Sequence, residues 1–137
     1  MRQALFKSLS EIAENDPNLF FLTADLGFGV VEDFKFKHAS KYLNVGVSEQ
    51  LMIGMAAGLV ESGKKVYCYS IANFSLMRPF EFVRNVSVAN NLKLSLIGVG
   101  PGFDYSFDGL SHYSLEDLAL VLSQPNWIIF CPDNCFF

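Results

Sequence analysis

Two short apolar segments constrain the fold of this sequence more than any other feature. Residues 19–24 form an almost continuously apolar run, and residues 66–71 form a second strand candidate. Strands that are buried on both faces of a sheet have continuous apolar sequences, whereas half-exposed strands alternate apolar and polar residues. We therefore expect a sheet that is covered by helices on both sides.

The segments around these two runs alternate between helix and strand patterns. Apolar residues recur at helical spacing near the N-terminus, and Asp16-Pro17 ends that helix. We predict further strands at residues 42–47, 92–99 and 127–130, and helices at residues 49–61, 78–90 and after Ser114. The alternation predicts an α/β fold with a parallel sheet and helices on both faces, in a single domain over residues 1–137.

Local signals define the ends of two of these helices. Ser48 can cap the helix that begins at Glu49, and Ser62-Gly63 can end it. Ser114 opens the sequence Ser-Leu-Glu-Asp, which is a capping signature ahead of an apolar run.

Composition excludes several classes of function. The net charge of −4 and the scattered lysines argue against a nucleic-acid-binding surface. The sequence has no apolar run of the roughly 20 residues that span a bilayer, and its first residues do not resemble a signal peptide. Three cysteines, at positions 68, 131 and 135, form no even-numbered disulfide framework, and we predict a reduced, cytoplasmic protein with no metal site of its own.

Four loops are expected at the carboxyl ends of the strands, where parallel sheets bind ligands. They cover residues 25–30, 46–50, 72–78 and 100–112. Each loop carries a recognisable motif. The motifs are Thr-Ala-Asp-Leu at 23–26, Asn-Val-Gly-Val-Ser-Glu-Gln at 44–50, Phe74 with Arg78, Phe80-Glu81 and Arg84-Asn85, and Asp-Gly-Leu-Ser-His-Tyr-Ser-Leu-Glu-Asp at 108–117.

In order and spacing these four motifs resemble the pyrimidine-binding domain of the transketolase family. The likeness extends from about residue 2 to residue 132 and is closest to the small subunit of transketolases that are split between two chains. The resemblance implies thiamine diphosphate as cofactor and transfer of a two-carbon ketol unit between sugar phosphates. Deoxyxylulose phosphate synthases and 2-oxoacid dehydrogenase β subunits carry related domains and remain alternatives.

The resemblance assigns a role to Glu49. In the family, this glutamate hydrogen-bonds the ring nitrogen of the cofactor's pyrimidine, which makes it catalytic as well as cofactor-binding. The cofactor performs the carbanion chemistry, while the protein positions and tunes it. A carboxylate at a helix start can also serve only as a partner of the helix dipole.

The same resemblance implies roles for five further residues. Phe74 and Phe80 are expected to pack on the pyrimidine, and Asp25 to lie near the cofactor. His112 and Asp108 are expected to contact sugar hydroxyls, with His112 also acting as a proton shuttle.

Two interpretations stay open for Arg78. Its guanidinium can contact a carboxylate of the substrate or of a partner, which makes it a substrate-binding candidate. It can equally be a solvated arginine at the start of a helix.

The family's anchor for the diphosphate is missing. That anchor is a Gly-Asp-Gly motif with a downstream Asn, which holds Mg²⁺ or another divalent ion on the phosphates. We therefore expect a partner chain, the diphosphate-binding transketolase subunit, in a homo-oligomer or heterotetramer, and no activity from this chain alone. The family's third domain is also expected to be absent after Asp133, which leaves open a non-catalytic assembly partner or a truncated remnant.

Overall fold

The chain forms an α/β fold with a four-stranded parallel sheet, and the computed structural model describes residues 1–132. The strands are β1 (Leu19–Thr23), β2 (Tyr42–Asn44), β3 (Lys65–Ile71) and β4 (Leu94–Val99). Their order across the sheet is β2-β1-β3-β4. The helices are α1 (Arg2–Asn15), α2 (Glu32–Lys37), α3 (Glu49–Glu61), α4 (Phe80–Phe82) and α5 (Asp117–Leu122), with π-helical turns at Asn73–Met77 and Val83–Val88.

Helices cover both faces of the sheet, as the continuous apolar runs predicted. Along β1, Leu19 and Phe21 face a core with α1 and α2, while Leu22 faces a second core with α3. β3 divides in the same way, because Cys68 packs toward α3 and Tyr69 toward α1. The prediction of a parallel sheet between two helical layers is confirmed.

The helix α3 begins and ends at the predicted residues. Gly63 follows it with a φ of +86°, and the amides of Gly63 and Lys64 donate to Val60 and Leu59 at 2.9 Å each. Such left-handed ends are favourable for glycine because it has no Cβ. The position of Ser48 before the helix is as predicted, but its side chain makes no capping hydrogen bond.

Three local predictions were wrong in whole or in part. Residues 127–130 form no strand in the described chain, and Ile128 is 96% exposed. A sequence of aromatic and β-branched residues forms a strand only where a neighbouring strand hydrogen-bonds to its backbone. The helix predicted after Ser114 is present as Asp117–Leu122, but Ser114 does not cap it, because the backbone of Ser114 exchanges hydrogen bonds with Gly102 at 2.8 and 2.9 Å. The helix predicted at residues 78–90 is interrupted near Pro79 and is mostly π-helical.

The predictions about Cys135 and about the chain after Asp133 lie outside the described residues.

The strand order places a topological switch between β1 and β3. The chain leaves β1 for β2 on one side and then crosses back to β3 on the other side. In open parallel sheets, ligands bind in the crevice beyond the carboxyl ends of strands at such a point. The loops after β1 and β3 and the start of α3 all lie at this edge.

Candidate functional site

Glu49 is the first residue of α3, and its side chain is only 2% exposed. The loop before it turns at Gly46, which has a φ of +74°. Both carboxylate oxygens of Glu49 accept hydrogen bonds from Nη1 of Arg78, at 3.0 Å for Oε1 and 2.9 Å for Oε2. A buried carboxylate needs such a partner, because removal of its charge from water is costly when it is unpaired.

The π-helical turn after β3 positions both Arg78 and Phe74. Its π-helical hydrogen bond, which spans five residues, joins the amide of Arg78 to the carbonyl of Asn73 at 3.2 Å. The turn places the guanidinium carbon of Arg78 at 3.9 Å from the centroid of the Phe74 ring. Isolated π-helical turns occur frequently at functional sites, and an arginine over an aromatic face is an attractive cation–π arrangement.

The loop after β4 brings His112 to the same place. Its imidazole meets the Phe74 ring edge-to-face, with the centroids 5.0 Å apart. Nδ1 of His112 lies 2.9 Å from the hydroxyl of Ser111. The carbonyl of Ser111 accepts a hydrogen bond of 2.6 Å from Nδ2 of Asn73, which is buried. Asn73 therefore attaches the loop to the π-helical turn.

These contacts define one cluster at the carboxyl edge of the sheet, which we call the edge cluster: Glu49, Arg78, Phe74 and His112. The sequence predictions named all four residues, although not the pairing of Glu49 with Arg78. Asn73 and Ser111 were missed, and their only sequence signal is that they directly precede Phe74 and His112.

Asp25 lies on the β2 side of this edge. It adopts a left-handed backbone conformation with a φ of +50°, which is uncommon for a residue other than glycine. The side-chain oxygen of Asn44 accepts hydrogen bonds from the amides of Asp25 and Gly46, both at 2.9 Å. Asn44 thus joins the loop after β1 to the loop that leads into Glu49. Burial raises the pKa of the nearby Tyr42, and the charges of Glu32 and Asp25 raise it further.

Asp108 and Phe80 lie apart from the contacts of the edge cluster. Asp108 ends the 3₁₀ turn Ser106–Asp108, where its side chain is exposed. Phe80 packs against the core between the sheet and α3, which includes Met52 and Val83. The predicted roles of these two residues in substrate and cofactor binding stay predictions.

A cavity of about 500 Å³ lies elsewhere, between α1 and α2. Its lining includes both acidic and basic side chains, for example Lys7, Glu11 and Asp33. Its lining residues lie on the helical layer opposite α3, so we do not assign the candidate site to this cavity.

The described chain offers neither a metal-binding cluster nor a membrane-spanning helix. Within residues 1–132, no group of three or more His, Cys, Asp or Glu side chains is arranged to hold a metal ion. Over the same residues, no helix has the length and apolar character needed to cross a bilayer.

The sheet order, the buried glutamate and the adjoining aromatic residues define an α/β domain with a candidate ligand site beyond the strand ends. Residues 1–135 match the family model described as "Transketolase, pyrimidine binding domain". The chain belongs to this family, which confirms the resemblance found in the four motifs.

Individual relatives show the same relationship. A protein of Methanocaldococcus jannaschii named as a transketolase C-terminal section is 34% identical over 99% of this chain and 43% of its own length. A subunit of the apulose-4-phosphate transketolase of Phocaeicola vulgatus is 30% identical over 96% of this chain and 42% of its own length. This chain therefore spans about two-fifths of the length of these relatives.

A solved structure agrees with the fold. It is described as a split gene transketolase in the form of an inactive β4 tetramer. The match has a TM-score of 0.79 and 33% identity, and it covers 91% of this chain and 40% of the other.

Proposed function

We propose that this chain is the pyrimidine-binding part of a thiamine diphosphate-dependent transketolase that transfers a two-carbon ketol unit between sugar phosphates. The observation that carries the proposal is the buried carboxylate of Glu49, which Arg78 joins to the half-buried ring of Phe74 at the carboxyl edge of the sheet. A hydrogen-bonding carboxylate and an adjacent aromatic face are the two features that an aminopyrimidine needs from a protein.

The described residues fit the pyrimidine half of the cofactor better than the diphosphate half. Glu49 offers two acceptor oxygens, and Phe74 offers a flat apolar surface. A diphosphate needs a divalent ion and a cradle of donors, and the sequence lacks the family's Gly-Asp-Gly motif. We therefore propose that a partner chain, the diphosphate-binding transketolase subunit, holds Mg²⁺ and the phosphates.

The cofactor supplies the stabilisation of the carbanion when it is bound. In our proposal, Glu49 shares a proton with the pyrimidine ring nitrogen, and Phe74 packs on the ring. His112 donates a hydrogen bond to a hydroxyl of the donor sugar and acts as a proton shuttle for that hydroxyl. Asp108 makes a second contact with the sugar.

Two residues have supporting roles in the proposal. Asp25 shapes the loop that borders the cofactor. Phe80, which is partly buried against the core between the sheet and α3, is proposed as a second aromatic contact of the pyrimidine.

Exposed apolar side chains in the edge loops support the need for a partner. Phe28, Val47, Phe103, Phe107 and Leu110 are each at least 63% exposed, and all lie in loops at the carboxyl edge. Exposed apolar surface of this extent usually becomes covered by another protein surface. A homo-oligomer or a heterotetramer with the diphosphate-binding chain would cover it.

The proposal includes a cytoplasmic location, which the free thiols of Cys68 and Cys131 favour.

One observation favours a second candidate, a non-catalytic assembly partner. The similar solved structure is described as an inactive β4 tetramer. Activity therefore has to be tested with both kinds of chain present. The test is co-expression of this chain with a diphosphate-binding transketolase chain, followed by measurement of thiamine diphosphate binding and of turnover with a ketose phosphate donor. Pyruvate as an alternative donor separates transketolase from deoxyxylulose phosphate synthase or 2-oxoacid decarboxylation.

The decisive variant is Glu49→Gln, which keeps the shape of the side chain and removes its acidic proton. We expect the assembled complex to lose about 100-fold or more in turnover, since positioned acid–base groups contribute about 10²–10⁴-fold. Glu11→Gln on the exposed side of α1 is the matched control and should leave turnover unchanged. Turnover at the unmodified level in Glu49→Gln, in a complex that binds the cofactor, would refute the role of Glu49.

A further inference from the structure

Arg78 makes the same two contacts that the proposed function assigns to the cofactor's pyrimidine. Its Nη1 binds both oxygens of Glu49, and its guanidinium carbon lies 3.9 Å from the centroid of Phe74. A guanidinium and an aminopyrimidine have the relevant chemistry in common. Both are planar, both stack on an aromatic face, and the pyrimidine presents an N–H to a carboxylate as a guanidinium does once its ring nitrogen carries the shared proton.

We propose that Arg78 is an internal competitor for the pyrimidine site, so that the pyrimidine must displace its guanidinium from Glu49 and Phe74. This inference rests on the proposed function and adds a residue that sets the affinity for the ligand. The displaced side chain has a route outward, because 38% of its area is already exposed, whereas only 2% of Glu49 is exposed. The surrounding packing fixes the buried side chain of Glu49, whereas the partly exposed side chain of Arg78 can move.

Displacement is electrostatically acceptable only when a new donor replaces the old one. A buried carboxylate without a partner is strongly disfavoured. The exchange therefore couples departure of Arg78 to arrival of the ligand and uptake of one proton from solvent, which Glu49 then shares with the ring nitrogen. A carboxylate has about four lone-pair positions, so the opposing model is that Arg78 stays in place and the pyrimidine binds beside it. The two models predict opposite effects when Arg78 is replaced.

The first experiment measures binding of thiamine, which carries the aminopyrimidine without the diphosphate, to the full chain by ligand-observed NMR titration. Arg78→Met keeps the apolar stem and removes the competing donors. We expect its affinity for thiamine to rise about tenfold, which corresponds to the loss of one competing hydrogen bond to a charged group. Arg84→Met, an exposed arginine on the following turn, is the matched control and should leave the affinity unchanged.

The second experiment uses the unmodified chain and therefore does not depend on the folding of a variant. The side-chain Nε–H signal of Arg78 is followed by ¹⁵N NMR as thiamine is added. We expect the signal to shift and to show faster side-chain motion at saturation, because the guanidinium leaves Glu49. The signal of Arg84 should not change.

The outcomes separate this inference from the proposed function. Weaker or unchanged thiamine binding by Arg78→Met, or an Arg78 signal that stays rigid at saturation, overturns the competitor role even if Glu49 binds the pyrimidine. Glu49→Gln tests the site itself and should weaken thiamine binding in both the unmodified and the Arg78→Met backgrounds. Thiamine binding that is unaffected by Glu49→Gln overturns the proposed pyrimidine site and the competitor role together.

Discussion

The strength of the Glu49–Arg78 ion pair leads to a quantitative prediction about folding stability. Arg78→Met leaves a carboxylate that is 2% exposed without its donor. The loss of one partner of a fully buried pair costs about 3–5 kcal/mol. Because 38% of Arg78 is exposed and part of its charge is already screened by water, we expect a smaller loss of about 2–3 kcal/mol in the free energy of unfolding.

A double-mutant cycle isolates this interaction from the lost packing of the arginine stem. Glu49→Gln removes the buried charge, so the double variant has no unpaired carboxylate. We expect the double variant to be more stable than the sum of the single effects predicts, with a coupling free energy of about 2 kcal/mol. Arg84→Met serves as the surface control and should change stability by less than about 0.5 kcal/mol.

Urea denaturation followed by circular dichroism measures each free energy of unfolding, and the slope with denaturant shows whether the variants share one unfolding reaction. In a thermal scan, the Arg78→Met loss corresponds to a decrease of about 10 °C in Tm. If the two single-variant effects sum to the effect of the double variant within about 0.5 kcal/mol, the pair does not form in solution. The competitor role of Arg78 would then lose its physical basis.

Two further predictions concern packing and thiol reactivity. Gly98→Ala places a Cβ 2.9 Å from the Cα of Ala72 and should reduce the free energy of unfolding by about 1–3 kcal/mol, whereas Gly58→Ala on α3 meets no atom within 4 Å and should increase it by about 0.5–1 kcal/mol. Urea denaturation measures both, and equal effects would contradict the packing. Burial raises the pKa of Cys68 to about 12, so at pH 8 iodoacetamide should modify exposed Cys131 in the folded chain and reach Cys68 only after unfolding. Peptide mass spectrometry distinguishes these cases, and rapid modification of Cys68 under native conditions would contradict its burial.

Much of the architecture could be predicted from local patterns. The apolar runs at residues 19–24 and 66–71 indicated strands buried on both faces, and Gly63 marked the end of α3. These predictions succeeded because each depends on the chemistry of a few consecutive residues. The strand predicted at residues 127–130 failed because pairing requires a neighbouring strand, and no feature within those residues reveals whether one is adjacent.

The candidate site divides in the same way. The sequence alone located the loops that contain Glu49, Phe74, Arg78 and His112, because the carboxyl ends of parallel strands lie at one edge of a sheet. Only the tertiary structure decided that Arg78 binds Glu49, 29 positions earlier, and that the ring of His112 meets Phe74. Such contacts depend on how α3, the π-helical turn and the last loop are placed relative to one another. That placement results from packing of the whole core, and no local pattern encodes it.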